Sequence, residues 1–153
     1  MGPQIKNFTK TLVNSKKIAL DSSCFIYHIE QNTKYLGLTR VIFKELLPND
    51  SIFAVASTLI FTEILIKPYK LNRSGLALAY KTLIKAMPNF SLFAPDEQVA
   101  DTAAQIRAKH GLRTPDSIHL ATAIDQGATA IIGNDRRWKK VKEIKVIVLD
   151  EFI

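Results

Sequence analysis

The segment KIALD at residues 17–21 is a short apolar run that ends in an acid, and the segment IIGND at residues 131–135 has the same form. Apolar runs of this length, rich in β-branched residues, are typical of buried strands. In both segments a carboxylate closely follows the run. We therefore expect Asp21 and Asp135 to lie at the ends of two strands.

Strand and helix patterns alternate along the rest of the chain. Strands are predicted at residues 17–20, 52–55, 90–93, 129–132 and 146–149. Helices are predicted at residues 58–66, 74–87, 96–110 and 115–126. Strands that alternate with helices form parallel sheets with right-handed crossovers, so we expect a three-layer α/β domain built on a five-stranded parallel sheet.

The composition fits one globular domain. The chain has 153 residues, 47% of them hydrophobic, and its formal charge of +7 favours a polyanionic partner through long-range attraction. The single cysteine, Cys24, can form no internal disulfide, which favours a reducing compartment. Apolar runs are too short to span a membrane, and no signal-peptide pattern opens the chain. We expect a cytoplasmic protein without a membrane segment.

Residues 1–16 precede the first predicted strand. Ile5, Phe8, Leu12 and Val13 recur there at roughly helical spacing. We expect this N-terminal extension to form an additional helix, and the main domain to cover residues 17–153.

Two further acids are predicted at the same edge of the sheet as Asp21 and Asp135. A crossover helix begins at the edge where the parallel strands end. Thr114, Pro115 and Asp116 form a helix-start pattern of cap, proline and acid, so Asp116 points toward that edge. Glu63 belongs to the helix after the second strand, and helical side chains lean toward the N-terminus.

Each acid also has a purely structural explanation. Asp116 would serve the start of its helix, Asp21 would cap the next helix, and Asp135 would stabilise a turn. Glu63 differs, because it is the only charged residue in the apolar stretch 51–66. Four such coincidences at one edge are less plausible than one acidic site.

Clustered carboxylates repel one another unless a cation neutralises them. Oxygen ligands favour Mg²⁺ or Mn²⁺, whereas Zn²⁺ prefers histidine and cysteine. His28, His110 and His119 share no metal-ligand spacing, and we leave them out of the predicted site. A carboxylate-bound ion of this kind assists phosphodiester chemistry by polarising a phosphate oxygen and lowering the pKa of water.

At this point the sequence resembles the PIN-domain nucleases and, within them, the VapC-type toxins. The resemblance runs in order through four blocks, of which the third is the most specific: LDSS at residues 20–23, TEIL at 62–65, LRTPDSIHLATA at 112–123 and GND at 133–135. It implies a PIN domain over residues 17–153, with the first strand central in the sheet and the fourth strand beside it.

The resemblance also implies an activity. The four acids of the family correspond to Asp21, Glu63, Asp116 and Asp135, which would bind Mg²⁺ or Mn²⁺ and activate water to cleave RNA. A metal-dependent endoribonuclease that acts as the toxin of a type II toxin-antitoxin pair is the function implied. The implied partners are an RNA substrate, a small cognate antitoxin and a second copy of the chain in a homodimer.

One residue departs from the family pattern at the site itself. Gly133 stands where the family usually has threonine or serine before the Asn-Asp pair. The missing hydroxyl would orient Asp135 or the water less firmly, because outer contacts hold metal ligands in place. We expect an active but slower enzyme.

The sequence leaves several neighbouring residues open. A basic run at residues 136–145 either contacts RNA or forms a solvated face, and Trp138 within it is more typical of a core. Arg113 has the same two interpretations. For Ser23, capping a helix is favoured over a hydrogen bond to a metal ligand.

Rival functions fit less well. A haloacid-dehalogenase-like phosphatase needs a second aspartate where Ser23 stands, and a nucleotide-binding switch needs a glycine-rich phosphate loop that is absent. Two alternatives within the same fold remain. One is a non-catalytic module that binds RNA or a protein, and the other is a housekeeping RNA-processing nuclease.

Overall fold

The computed structural model describes residues 1–153 and contains one five-stranded sheet. The strands are β1 (Lys17–Leu20), β2 (Phe53–Ser57), β3 (Phe90–Phe93), β4 (Ala130–Gly133) and β5 (Lys145–Val148). All neighbouring strands pair in parallel, in the order β3-β2-β1-β4-β5. The predicted class is confirmed, with β1 central and β4 beside it, and each predicted strand overlaps an observed one.

Helices cover both faces of the sheet. They are α1 (Pro3–Ser15), α2 (Ser22–Ile29), α3 (Leu36–Arg40), α4 (Phe61–Ile64), α5 (Ile66–Lys70), α6 (Ser74–Lys85), α7 (Glu97–His110) and α8 (Thr114–Asp125). A π-helical segment, Val41–Leu46, continues α3, and 3-10 turns lie at Thr58–Ile60, Arg136–Lys140 and Leu149–Phe152. No helix is both long enough and apolar enough to cross a membrane.

One helix prediction is wrong in its extent. Residues 58–66 form a 3-10 turn followed by α4, and the chain then bends at Leu65 before α5 begins. Pro68, in α5, has no N–H with which to bond the carbonyl of Ile64, so a continuous helix through this region is interrupted. The other predicted helices correspond to α6, α7 and α8, and the sequence analysis gave no bounds for α2 and α3.

Alternation along the strands divides the core into two layers. Ile18 and Leu20 of β1 face the larger cluster, which lies among α1 to α6 and also contains Ile132 of β4. Ala19 and Ile131 face the opposite way, into the smaller cluster beneath α7 and α8. Successive side chains of a strand point to opposite faces, which is why one apolar run serves both layers.

The extension at residues 1–16 forms α1, whose side chains Phe8 and Leu12 are fully buried in the larger cluster. The ring of Phe8 packs edge to face against Phe152, with 5.1 Å between the ring centroids. The helix therefore shares a core with the sheet rather than projecting from it.

Candidate metal centre at the carboxyl edge of the sheet

The four predicted acids line one open cleft at the carboxyl edge of β1 and β4. The cavity has a volume of about 280 Å³. Besides Asp21, Glu63, Asp116 and Asp135, it is lined by Ser22, Ser23, Ile26, Tyr27, Arg113, Asn134 and Trp138. Four segments that are distant in sequence therefore bring their carboxylates to the same place.

Asp21 enters the cleft directly from the central strand. Its backbone N–H continues the β1–β4 pairing by donating to the carbonyl of Ile132, at 2.9 Å. Its side chain caps α2 by accepting from the N–H of Ser23 and also accepts from the Ser23 hydroxyl, at 2.8 Å. The capping role considered for Asp21 is thus real, and it points the carboxylate into the cleft. Ser23 serves as a donor to Asp21 rather than as the cap, so that sequence interpretation of Ser23 is wrong.

The electrostatics of Asp21 are dominated by burial. Burial raises the pKa of its carboxyl above the ordinary value of 3.8, while the imidazole of His119 and the Ser23 hydroxyl act in the opposite direction. No lysine or arginine lies within ion-pair distance of this carboxylate. A cation would therefore relieve an unfavourable charge here.

Glu63 reaches the cleft from α4, in the segment that the Ser57 side chain caps by accepting from the N–H of Leu59. The Ser22 hydroxyl donates to its Oε2. The imidazole of His119 lowers the pKa of Glu63 below 4.5, burial opposes this effect, and Ser22 adds to the lowering. Glu63 is thus half-buried and ionised, and it is tied to α2 by Ser22.

Asp116 lies in the first turn of α8, as predicted. The helix begins at Thr114, one residue before the predicted range, and Arg113 occupies the cap position without a side-chain capping bond. The carboxylate is buried and accepts from Nε of Arg113 at 3.1 Å. The helix start predicted at Thr114 and Pro115 therefore places the side chain of Arg113 beside the carboxylate of Asp116.

Asp135 caps the 3-10 turn after β4 and forms a two-oxygen ion pair with Arg137. Its Oδ1 accepts from the backbone N–H of Arg137 at 2.9 Å, and Nε of the same arginine lies 3.0 Å from Oδ1 and 3.1 Å from Oδ2. This pairing lowers the pKa of Asp135 below 3.8. Arg137 also lies 4.0 Å from Asp116, so its guanidinium bridges two of the four acids.

His119 is a buried neighbour of the acidic residues Asp21 and Glu63, and the sequence analysis left it out of the site. It lies on α8 one turn after Asp116, is buried, and places Nε2 3.9 Å from Oδ1 of Asp21 and 3.9 Å from Oε1 of Glu63. One ligand atom from each of these three residues lies within 4.8 Å of the others. The spacing of three residues from Asp116 was the available signal, because residues i and i+3 share a helix face.

Gly133 is closely packed in this structure. A Cβ built on Gly133 would lie 3.2 Å from Cζ3 of Trp138 and 3.3 Å from Cβ of Asp21. Trp138 is fully buried in the smaller core cluster, which confirms the core interpretation of this residue. The indole therefore lies against the position where the family pattern has a hydroxyl side chain.

The donor set fits a hard divalent ion. The cleft offers four carboxylates, two of them without a cationic partner in ion-pair distance beyond the imidazole, and no cysteine. Carboxylate oxygens are the ligands that Mg²⁺ and Mn²⁺ prefer. Two of the acids are neutralised by arginines, so Asp21 and Glu63 form the electron-rich side of the cleft.

Comparison of the sequence with protein-family models finds a match to the PIN domain over residues 18–144. This match spans all four acids and most of the chain. A comparison with curated proteins finds no match.

Solved structures share the fold at low sequence identity. VapBC2 from Rickettsia felis, bound to a promoter DNA fragment, is similar with a TM-score of 0.68, 11% identity, and coverage of 86% of this chain and 98% of that chain. DNA-bound VapBC from Salmonella typhimurium is similar with a TM-score of 0.66 and 19% identity, and the match covers 87% of this chain and 98% of that chain. VapBC-1 from nontypeable Haemophilus influenzae is similar with a TM-score of 0.63 and 16% identity, and the match covers 88% of this chain and 98% of that chain. At these identities the likeness supports the fold.

Proposed function

The chain belongs to the PIN-domain family, and from that premise we propose that it is a divalent-metal-dependent endoribonuclease acting as the toxin of a toxin-antitoxin pair. The observation that carries the proposal is the convergence of Asp21, Glu63, Asp116 and Asp135 in one cleft. The similarity to the VapBC toxin-antitoxin structures supports the toxin assignment.

In this proposal the four carboxylates hold Mg²⁺ or Mn²⁺. The bound ion supplies positive charge that polarises a phosphodiester and lowers the pKa of water. Asp21 and Glu63 are held in position for this role by the hydroxyl groups of Ser23 and Ser22. Such outer contacts orient ligands and reduce the reorganisation needed when an ion binds.

The arginines of the cleft would bind the RNA backbone. The side chains of Arg113 and Arg137 are 69% and 59% exposed, so their guanidinium groups are accessible although each pairs with an acid. The pair of Arg137 with Asp135 is the more exposed of the two, and surface pairs contribute only about 0–1 kcal/mol, so Arg137 can exchange its acid for a phosphate more readily than Arg113, whose partner Asp116 is buried. Arg137 thus supports the RNA-contact interpretation of the basic run at residues 136–145.

The activity is tested by incubating a mixed cellular RNA pool with the purified protein in Mg²⁺ or Mn²⁺ and in chelator. We expect metal-dependent cleavage that falls by about 10²-fold or more in Asp21→Asn and in Asp116→Asn, since each variant removes a carboxylate that would hold the ion at the reacting phosphate. Asp101→Asn is the matched control, because Asp101 lies on α7 outside the cleft and is exposed. It should cleave like the wild type.

Two outcomes would count against the nuclease. Cleavage that persists equally in both cleft variants would come from another protein in the preparation. A folded, metal-supplied wild type that binds RNA without cutting it would instead favour the non-catalytic module.

The toxin role and the partners are tested separately. Expression in a bacterial host should arrest growth, and Asp116→Asn should relieve the arrest. Growth that is unaffected by an active nuclease would favour housekeeping RNA processing. We further propose a homodimer and a small antitoxin partner, and the mass of the purified protein by light scattering decides between one copy and two.

A further inference from the structure

His119 lies beside Asp21 and Glu63 and has no hydrogen-bond partner. Its side chain is only 2% exposed, and neither Nδ1 nor Nε2 has a hydrogen-bond partner. The ring is roughly parallel to the indole of Trp138, with 6.4 Å between the ring centroids. A buried polar group without a hydrogen-bond partner lowers stability, so folding alone does not explain an imidazole at this position.

The free nitrogen of this imidazole is directed at two carboxylates. Nε2 lies 3.9 Å from Oδ1 of Asp21 and 3.9 Å from Oε1 of Glu63. Both distances exceed those of a hydrogen bond, which are about 2.7–3.2 Å. The three ligand atoms nevertheless converge within 4.8 Å of one another, an arrangement suited to a cation held among them.

The other two acids of the cleft differ from Asp21 and Glu63, because each has an arginine partner. Asp116 accepts from Nε of Arg113 at 3.1 Å, and Asp135 accepts from Nε of Arg137 at 3.0 Å. Asp21 and Glu63 have no ion-pair partner other than His119. The potential metal-ligand atoms that face one another with no lysine or arginine beside them are therefore two carboxylate oxygens and one imidazole nitrogen.

We propose that Nε2 of His119 is a direct ligand of the divalent ion, together with Asp21 and Glu63. This inference rests on the proposed metal-dependent function and adds to it a nitrogen ligand. As a ligand, Nε2 carries no proton and the ring proton lies on Nδ1. Imidazole binds transition metals better than Mg²⁺, so a mixed nitrogen and oxygen site selects Mn²⁺ over Mg²⁺.

The test is pulsed electron paramagnetic resonance of Mn²⁺ bound to the wild-type protein, without any RNA or turnover. A histidine ligand gives nuclear modulation from its ¹⁴N atom, and protein labelled with ¹⁵N-histidine should show the corresponding ¹⁵N modulation instead. Because labelling leaves the sequence unchanged, this result does not depend on any variant folding.

Variants assign the signal to one residue. His119→Gln should lose the modulation and bind Mn²⁺ about 10-fold more weakly or worse, with a smaller loss for Mg²⁺. His28→Gln and His110→Gln are matched controls, because neither residue belongs to the cluster of ligand atoms formed by Asp21, Glu63 and His119, and both should keep the modulation. Calorimetric titration with each ion supplies the affinities.

The outcomes separate this inference from the function on which it rests. Tight Mn²⁺ binding that Asp21→Asn abolishes, with no histidine modulation in the wild type, would overturn the ligand role of His119 and leave the carboxylate site intact. No binding of Mn²⁺ or Mg²⁺ by the folded protein would overturn both proposals.

Discussion

Asp21 combines a structural and a chemical task on one carboxylate. It caps α2 and receives the Ser23 hydroxyl, yet its surroundings disfavour negative charge because burial outweighs these contacts. Sites that concentrate unfavourable charge are characteristic of functional clefts. The same feature makes Asp21 a source of instability when no cation is bound.

We predict that Asp21→Asn stabilises the metal-free protein. The pKa of Asp21 in the folded state lies above 3.8, so the folded protein binds this proton more tightly than the unfolded chain does. Ionisation of Asp21 therefore lowers stability as the pH rises through the folded pKa. Asparagine avoids that loss and caps a helix about as well as aspartate.

The measurement is the melting temperature in chelator from about pH 3 to about pH 8, where carboxyl groups change charge. The variant should match the wild type at the acidic end and melt at a higher temperature near neutral pH. Asp101→Asn, which alters an exposed acid on α7, should show no such divergence. A variant that melts lower at every pH would mean that the bonds from Ser23 outweigh the charge.

Gly133 and Trp138 form a matched pair behind the acidic cleft. We predict that Gly133→Ser lowers the free energy of unfolding by about 1–3 kcal/mol, the usual range for overpacking. The cause is the 3.2 Å approach of the new Cβ to the buried indole. Gly133→Ser would restore a hydroxyl at this position, but the packing of Trp138 makes the substitution unfavourable for stability.

A double-mutant cycle in urea tests this pairing. Trp138→Phe removes the atom that a side chain at residue 133 would meet, so Gly133→Ser should cost less in that background than in the wild type. Equal costs in both backgrounds would show that the indole is not the obstacle.

At the scale of elements, α1 is an integral part of the fold although the family match begins only at residue 18. Phe8 and Leu12 are fully buried, and the helix packs against α3 and the final 3-10 turn, Leu149–Phe152. Deleting such a helix would uncover the larger core cluster.

We predict that Phe8→Ala lowers the free energy of unfolding by about 3–5 kcal/mol, because it removes a large buried ring and leaves a cavity. Val13→Ala on the same helix is the control. Its side chain is 40% exposed, so the change should stay within about 0.5 kcal/mol. Chemical denaturation of both variants measures the difference, and similar small effects would indicate that α1 detaches without loss of the core.

At the scale of the whole molecule, an ion bound as proposed would couple to folding, because the four acids of the cleft come from four separate segments. Only the folded chain brings Asp21, Glu63 and Asp116 together, so an ion that binds the cleft stabilises the whole domain. The helices and strands that carry these residues meet only when the sheet is complete.

We predict that Mn²⁺ raises the melting temperature of the wild type. An ion whose free concentration is about 100 times its Kd stabilises the folded state by about 2.7 kcal/mol. For a domain of this size that corresponds to a rise of roughly 5–10 °C. Glu63→Gln should lose most of the shift, and Asp101→Asn should keep it. Differential scanning fluorimetry measures the melting temperatures. Equal shifts in the wild type and in Glu63→Gln would place the bound ion outside the cleft.

Local sequence was sufficient for the class of fold and for the placement of the four acids. Asp21 and Asp135 closely follow apolar strands, and Asp116 begins a helix, so the topology of a parallel sheet brings all three to one edge. These features depend on the order of residues within one element and on a general rule of handedness. The broken helix at residues 58–66 was missed because the effect of Pro68 acts on the preceding turn.

Only the tertiary structure decided which side chains face one another inside the cleft. The pairing of Arg137 with Asp135, the indole against Gly133 and the approach of His119 to Asp21 and Glu63 each depend on side-chain direction or on the rotation of one element against another. Periodicity fixes the face of a helix to within a broad sector, but packing against the sheet fixes its rotation. For that reason the sequence determined which edge of the sheet carries the acids. The packed structure determined which arginine and imidazole side chains lie beside them.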